Sequence, residues 1–232
     1  RAVLATVPIS QASMQQRAGR AGRVAAGVCV RLWSERFGVE PYQRPEIERV
    51  ELDDLLLQAA ELGLVGAAFD RATWITPPPA FAVQRALARM QSLAAVDQRG
   101  LTERGKRLAR LPVSADEAVL LVDAPPAIDA TLCDLVAILQ TRGGFLRHLD
   151  ELGPGERAAA MAARSELLAG VGDEVTTNLR LLRAGEARTH HLSQKRLDEA
   201  RAISRQLREL TGARGEATKG LDAFLVARLP QV

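Results

Sequence analysis

Aromatic and cysteine side chains are scarce in this chain of 232 residues. Five Phe, two Trp and one Tyr make up 3% of it, which argues against the RNA-binding platforms that stack bases on Phe and Tyr. The two cysteines, Cys29 and Cys133, are far apart in sequence and form no Cys-x-x-Cys pair. This spacing argues against a zinc site or a disulfide framework. It favours the reduced thiols of a cytoplasmic protein.

Long apolar runs are also missing. No stretch approaches the roughly 18 consecutive apolar residues of a membrane-spanning helix, and no signal-peptide pattern is present. We therefore predict a soluble, intracellular protein without a membrane partner. His190 and His191 are adjacent, so they cannot share a helix face. We predict that they lie in a surface loop and that the chain has no metal site.

The remaining composition is that of a globular protein. Apolar residues make up 47% of the chain, and 31 basic residues against 28 acidic ones give a net charge of +3. A chain of this length can form one or two small domains with real cores. A mild positive charge suits a polyanionic partner without proving one.

The most specific feature is the string Gln16-Arg17-Ala18-Gly19-Arg20-Ala21-Gly22-Arg23. Residues three apart share one face of a helical turn, so Arg17, Arg20 and Arg23 are predicted to form a single ridge of positive charge. Arginine stays charged at any working pH and can bind phosphate oxygens through two hydrogen bonds. The small residues between the arginines leave room for a phosphate or another backbone.

This string resembles motif VI, QRxGRxGR, of the DEAH-box and related helicases, and all six fixed positions match. In those helicases the motif lies on the second of two RecA-like lobes and faces a nucleotide held by the first. The resemblance implies that ATP and Mg²⁺ are the cofactors, bound mainly by the first lobe. It also implies single-stranded RNA and ATP as partners.

The resemblance assigns a role to each motif position. Gln16 would orient the attacking water. Arg20 and Arg23 would act as arginine fingers, which are worth about 10³–10⁵ in rate in nucleotide hydrolases. Arg17 would pair with a carboxylate inside the lobe. The structural part of the motif comprises Arg17, Gly19 and Gly22.

The other half of such an enzyme is not found in the sequence. There is no Asp-Glu-x-His box, and residues 100–107 only approach the Gly-x-x-x-x-Gly-Lys-[Ser/Thr] phosphate loop because Arg107 replaces the hydroxyl that holds Mg²⁺. Thr102 is a good helix N-cap, which would place Gly105 and Lys106 inside a helix instead of a loop. We expect the chain to be a fragment that does not hydrolyse ATP alone.

Residues 1–37 are predicted to be the C-terminal edge of the second RecA-like lobe. The β-branched segment 1–9 is predicted to be a strand that leads into the motif helix. A second strand is predicted over Gly27 to Trp33.

Residues 38–112 are predicted to be a Pro-bearing linker followed by a winged helix. Apolar residues recur at helical spacing from Leu52 to Leu62, a second helix follows the prolines at 77–79, and residues 96–102 form the wing. This sequence pattern resembles the winged helix of the same helicases. The matching residues are Leu93-Ala94-Ala95-Val96-Asp97, Leu101-Thr102, Gly105, Leu108-Ala109 and Leu111-Pro112.

Residues 113–212 are predicted to be helical and resemble the helical-bundle, or ratchet, domain of the family. Ser114 and Glu117 form a capping box, and Ser193 is the predicted N-cap of a long helix with a basic outer face. The candidate nucleic-acid residues on that face are Lys195, Arg196, Arg201 and Arg205. Because the helix also carries Asp198 and Glu199, an ordinary charged face with internal pairs is the alternative. Residues 213–232 are predicted to be a tail or the start of a further domain.

The predicted fold class is mainly α with a small α/β part: a partial RecA-like lobe, a winged helix and a helical bundle. The junction Glu46 to Leu52, and the lack of a recognisable OB-fold before Val232, favour the bacterial HrpB branch over HrpA. The predicted function is that of a fragment of an ATP-dependent RNA helicase, an enzyme when full-length. The alternative is a non-catalytic winged-helix protein that binds DNA or another protein, with the Arg motif on backbone phosphates.

Overall fold

The computed structural model describes residues 8–34 and 37–228. Its helices are α1 Gln11–Ala18, α2 Asp53–Glu61, α3 Ala67–Asp70, α4 Ala80–Ser92, α5 Glu103–Ala109, α6 Ala115–Val122, α7 Asp129–Gln140, α8 Pro154–Leu167, α9 Glu174–Ala184, α10 Gln194–Thr211 and α11 Leu221–Arg228. Short 3₁₀ turns occupy Glu46–Glu48 and Leu149–Glu151. Strands β1 Val96–Asp97 and β2 Gly100–Leu101 form an antiparallel hairpin with Val96 opposite Leu101. The predicted mainly α fold is confirmed.

The predicted RecA-like strands have different outcomes. Residues 1–7 of the first lie outside the described residues. The second, over 27–33, is wrong, because this segment is irregular and exposes Val28, Val30 and Leu32 by 87%, 74% and 91%. A strand needs a neighbour that accepts and donates backbone hydrogen bonds. Within residues 8–34 and 37–228 no strand lies beside this segment.

The wing and the helix after it form as predicted. Thr102 caps α5: its Oγ1 accepts a hydrogen bond from the Gly105 N–H at 3.0 Å and donates one to the Ala94 carbonyl at 2.7 Å. Gly105 is buried inside α5, where a Cβ would lie 2.1 Å from the Ala95 carbonyl oxygen. This glycine therefore serves close packing and does not belong to a phosphate-binding loop.

Two predicted helix starts can be compared directly. The capping box of α6 is present, with the Ser114 side chain and the Glu117 carboxylate each accepting a backbone N–H of the other residue. Helix α10 begins at Gln194 as predicted, but the Ser193 side chain makes no capping bond. The Ser193 N–H instead donates to the Phe145 carbonyl at 2.8 Å, so the loop after α7 fixes where α10 begins.

The main apolar core runs through the predicted winged helix and the predicted bundle without a break. Its fully buried members include Met90, Leu108, Leu132, Val136 and Leu207. These side chains come from α4, α5, α7 and α10, so one core spans both sides of residue 112. The division into two domains at residue 112 therefore stays a prediction.

The segment that follows α10 is attached to the bundle. The Asp129 carboxylate accepts the N–H groups of Arg214 at 2.9 Å and Gly215 at 2.6 Å. A Cβ on Gly215 would lie 2.0 Å from the Pro126 carbonyl oxygen, so only glycine permits this approach. Leu221 at the start of α11 is buried in the main core. Residues 213–228 thus pack on the bundle.

Asp134 joins three helices inside the bundle. This carboxylate of α7 is 2% exposed. It accepts hydrogen bonds from Arg183 Nε of α9 at 2.7 Å, from Arg208 Nη2 of α10 at 2.8 Å, and from Ser204 Oγ at 2.6 Å. A buried carboxylate is tolerated when charged and hydrogen-bonding partners surround it. Here every partner comes from a different helix or a different turn of one.

Asp134→Ala is expected to destabilise the bundle strongly. Removal of one partner of a buried ion pair leaves the other charge uncompensated and costs about 3 kcal/mol or more. Urea unfolding followed by circular dichroism measures this. Asp150→Ala is the matched control, since Asp150 is 89% exposed beside Arg157 and its loss should change stability little. Equal stability of the two variants would contradict the role assigned to Asp134.

Asp123 makes a second ion-pair centre, between the predicted winged helix and α11. It follows α6 and accepts hydrogen bonds from Arg104 of α5 (Nη2 to Oδ2, 2.9 Å) and from Arg228 of α11. The hydrogen bond from Arg104, reinforced by Arg228, lowers the pKa of the Asp123 carboxyl although burial opposes the shift. The folded state therefore favours the charged form of the Asp123 carboxyl.

This lowered pKa predicts acid sensitivity. The stabilisation is fully present above the unfolded pKa of about 4. It is lost as the pH falls below that value through the folded pKa, since the unfolded chain then binds the proton more readily. Asp123→Asn should therefore lower stability at pH 7 and reduce the loss between pH 5 and pH 2. Free energies of unfolding at several pH values test this, and an unchanged pH dependence would contradict it.

Candidate functional site

Helix α1, which carries the start of the arginine motif, is held at its N-terminus. Ser10 is the N-cap, and its Oγ accepts the Ser13 N–H at 3.3 Å. The N–H groups of Gln11 and Ala12 donate to the carbonyls of Glu40 and Pro41, at 3.0 Å each. The motif is thus tied to the segment that leads into the predicted winged helix.

The helix ends inside the motif, so the three arginines do not share one α-helix, and their predicted single ridge stays a prediction. Only Arg17 lies on α1, which stops at Ala18 with Gly19 as its C-cap. Turn hydrogen bonds follow, from Arg20 N–H to the Arg17 carbonyl at 3.2 Å and from Ala21 N–H to the Ala18 carbonyl at 3.1 Å. Arg23 lies in the bend beyond them. Glycine is a poor helix former, and two glycines in four residues end the helix.

The motif side chains are open to solvent. Gln16, Arg17, Arg20 and Arg23 are all exposed, and no carboxylate of residues 8–34 or 37–228 forms an ion pair with the three arginines. A Cβ placed on Gly22 would have no neighbour within 4 Å. Free guanidinium groups beside an unobstructed backbone fit an incoming phosphate, because arginine supplies charge and paired N–H donors.

Arg17 borders a cleft of about 690 Å³ behind α1. The cleft is also lined by Ser10, Ser13, Glu40, Tyr42, Arg44 and Arg49. Glu40 thus places a carboxylate in the cleft that Arg17 borders. The predicted pairing of Arg17 with a carboxylate stays a prediction.

Gly27 lies against the end of the motif turn, a contact that the sequence did not indicate. A Cβ on this residue would lie 2.0 Å from the Ala21 carbonyl oxygen. The backbone therefore returns to the end of the motif turn and closes a loop over residues 21–27, which carries Arg23. The only sequence signal is that a glycine begins the run predicted to be a strand, Gly27 to Trp33.

Three basic residues of α10 have partners inside the protein. Arg196 Nη1 donates to the Gly144 carbonyl at 2.7 Å. Arg201 donates to the carbonyls of Leu182 at 2.9 Å and Gly185 at 2.7 Å, at the end of α9. Arg208 binds Asp134, as described above.

Lys195 and Arg205 are exposed on the same helix. The structure does not bring the four candidate nucleic-acid residues into one open basic face, because Arg196 and Arg201 are engaged with carbonyls. Their nucleic-acid role stays a prediction.

Metal-ligating clusters and membrane spans can be assessed for the described part of the chain. There, no three His, Cys, Asp or Glu side chains lie together so as to hold a metal ion. None of the helices there combines the length and the hydropathy of a membrane-spanning segment. His191, one of the predicted loop histidines, directs its Nε2 to the His148 carbonyl at 3.2 Å.

Known proteins resemble this chain along most of its length. It is 33% identical over 220 residues to probable ATP-dependent RNA helicase DHX34 of Mus musculus, covering 87% of this chain and 18% of that protein. It is 30% identical over 223 residues to probable ATP-dependent RNA helicase DHX35 of Homo sapiens, covering 89% of this chain and 30% of that protein. The chain thus spans less than a third of these relatives. No protein-family model matches it.

A solved structure shares the fold. The crystal structure of the E. coli DExH-box NTPase HrpB superposes with a TM-score of 0.57 at 25% identity, over 94% of this chain and 22% of that one. This neighbour supports the predicted HrpB-like relationship. The sequence matches and the shared fold confirm the resemblance predicted from the motif: the chain is homologous to a segment of the DEAH-box ATP-dependent RNA helicases.

Proposed function

We propose that the protein to which this segment belongs is an ATP-dependent RNA helicase that couples ATP hydrolysis to movement along single-stranded RNA. The observation that carries the proposal is the homology to proteins named ATP-dependent RNA helicases over 87–89% of the chain. The free, exposed arginines of the motif support it. So do the exposed apolar side chains of 24–33, because such a surface is ordinarily covered by further protein.

Within that enzyme, the motif residues act on ATP held between two lobes. The bound nucleotide supplies the phosphoryl group that is transferred to water, and Mg²⁺ is held mainly by the first lobe. Gln16 positions the water, and Arg20 and Arg23 approach the charge that develops on the phosphoryl oxygens. The segment alone, without those phosphate and metal contacts, is proposed to be inactive.

RNA is proposed to contact the helical part weakly, through Lys195, Arg205 and neighbouring basic groups.

Cys29 and Cys133 are both free thiols, which supports the predicted cytoplasmic compartment.

The winged-helix alternative has less support. In that alternative, helix α4, which precedes the wing, would be the recognition helix. The basic residues of α4 are already paired. Arg85 binds Glu51, and Arg89 binds Asp53 and Asp116. Helix α4 also exposes Phe81, at 69%. Pairing with carboxylates leaves these two arginines less available to phosphates.

Arg20→Ala and Arg23→Ala, made in the full-length protein, should each lower RNA-stimulated kcat by about 10²-fold or more. Arginine fingers act on charge that appears in the transition state, so ATP binding should weaken far less. Steady-state ATPase assays and nucleotide titrations measure both quantities. Arg71→Ala is the control, because Arg71 is exposed and lies outside the motif. Near wild-type kcat in folded Arg20 and Arg23 variants would make the finger assignment wrong.

The basic residues of α10 should separate into two groups. Changing Lys195 and Arg205 together to Ala should reduce the salt dependence of single-stranded RNA affinity by about one phosphate contact or more, with an unchanged melting temperature. Arg201→Met should lower the melting temperature, because the Leu182 and Gly185 carbonyls lose their donor. The salt dependence of single-stranded RNA affinity should be the same in the Arg201→Met variant as in the wild type. Fluorescence anisotropy at several salt concentrations tests this, and a reversed pattern would show that Arg201 is the RNA-binding residue.

A further inference from the structure

We infer that Gly27 is a positioning residue for the motif arginines, an inference that rests on the proposed function. A Cβ on Gly27 would lie 2.0 Å from the Ala21 carbonyl oxygen and 2.5 Å from its carbonyl carbon. Contacts under 3.0 Å are essentially never made by real Cβ atoms, and here the neighbour is backbone, which cannot swing aside. Glycine alone lets the two chain segments meet.

This meeting point sets the geometry of both proposed fingers. Ala21 follows Arg20 directly, and its N–H is bonded to the Ala18 carbonyl at 3.1 Å. Arg23 lies between Ala21 and Gly27, so it is carried by the loop that their contact closes. Displacing the Ala21 carbonyl therefore rotates the peptide next to Arg20 and reshapes the loop around Arg23.

A side chain at residue 27 should change the positions of the motif arginines and leave the free energy of unfolding nearly unchanged. All described residues from 19 to 34 are exposed, and none belongs to an apolar cluster. A substitution there removes no core packing, which is the usual source of large destabilisation. A displacement of about 1 Å at a catalytic group can nevertheless cost about 10²-fold in rate.

The first test compares Gly27→Ala with Gly38→Ala in the full-length protein. Gly38 is exposed too, and a Cβ on it would have no neighbour within 4 Å. Gly27→Ala should lower RNA-stimulated kcat by about tenfold or more, with KM for ATP and the melting temperature close to wild type. Gly38→Ala should match the wild type in all three. A Gly27→Ala enzyme with unchanged kcat would overturn the inference.

A double-mutant cycle shows whether Gly27 acts through the arginine. If it does, Gly27→Ala should cause little further loss in an Arg23→Ala background, because coupled residues are not additive. An equal fold-loss in both backgrounds would mean that Gly27 does not act through Arg23. If Arg20→Ala and Arg23→Ala both leave kcat unchanged, the proposed function of the motif fails and the inference fails with it. Loss of activity in the arginine variants alone overturns only the inference.

Amide hydrogen exchange tests the steric step in the 232-residue chain itself. Gly27→Ala should raise exchange at the Arg20 and Ala21 amides by about tenfold, because their turn hydrogen bonds open more often. Amides of α7 and α10 should keep their wild-type rates. Unchanged exchange at residues 20 and 21 would show that the loop absorbs the Cβ, and the inference would be wrong. This measurement stands even where the full-length variant is unstable.

Discussion

The arrangement of the helical bundle depends on one buried carboxylate. Asp134 lies in the apolar middle of α7, where desolvation disfavours its charge, and it is held there by Arg183 of α9 and Arg208 of α10. The same arginines reach beyond it: Arg183 donates to Thr131 and to the Glu216 carbonyl, and Arg208 binds the Glu216 carboxylate. Three helices and the segment after α10 thus meet at one charge centre. Such a centre specifies the relative rotation of the helices, which apolar packing alone specifies less sharply.

Arginine serves the bundle in a second way, by binding the ends of neighbouring helices. Arg180 of α9 donates to the Leu167 and Ala169 carbonyls at the end of α8, and Arg201 does the same at the end of α9. The last carbonyls of a helix have no partner within the helix and attract cations. A basic composition is therefore explained in part by internal requirements. Net charge is a poor guide to a nucleic-acid surface in this protein.

The sequence predicted the helical elements well and their side-chain contacts poorly. The Ser114 capping box, the Thr102 cap and the wing follow from rules that act over a few residues, and all three are present. The strand at 27–33 was predicted from the same local signals, but a strand depends on a neighbour that local signals cannot supply. The motif helix stops at Ala18, because the two glycines outweigh the helical spacing of the arginines.

Parts of the site could have been recognised from the residues alone, and other parts could not. The motif string identified the family, since its fixed positions are specific. Asp134 carried a signal as well, because a lone carboxylate within the apolar run Leu132 to Ile138 requires a partner. Which arginines supply that partner depends on contacts 49 and 74 residues apart. The contact between Gly27 and Ala21 left no distinctive pattern, since any glycine in a loop looks alike.

The continuous core across residue 112 has a mechanical consequence. Helices α4, α5, α7 and α10 share buried side chains, so the parts of the chain on either side of that residue form one stiff lever. Between Ser10 and Leu52, in contrast, none of the described residues is buried. A rotation of the motif segment against the rest of the protein is therefore absorbed in that exposed stretch. A displacement of α4 or α5, in contrast, would be passed on to α10 through the shared core.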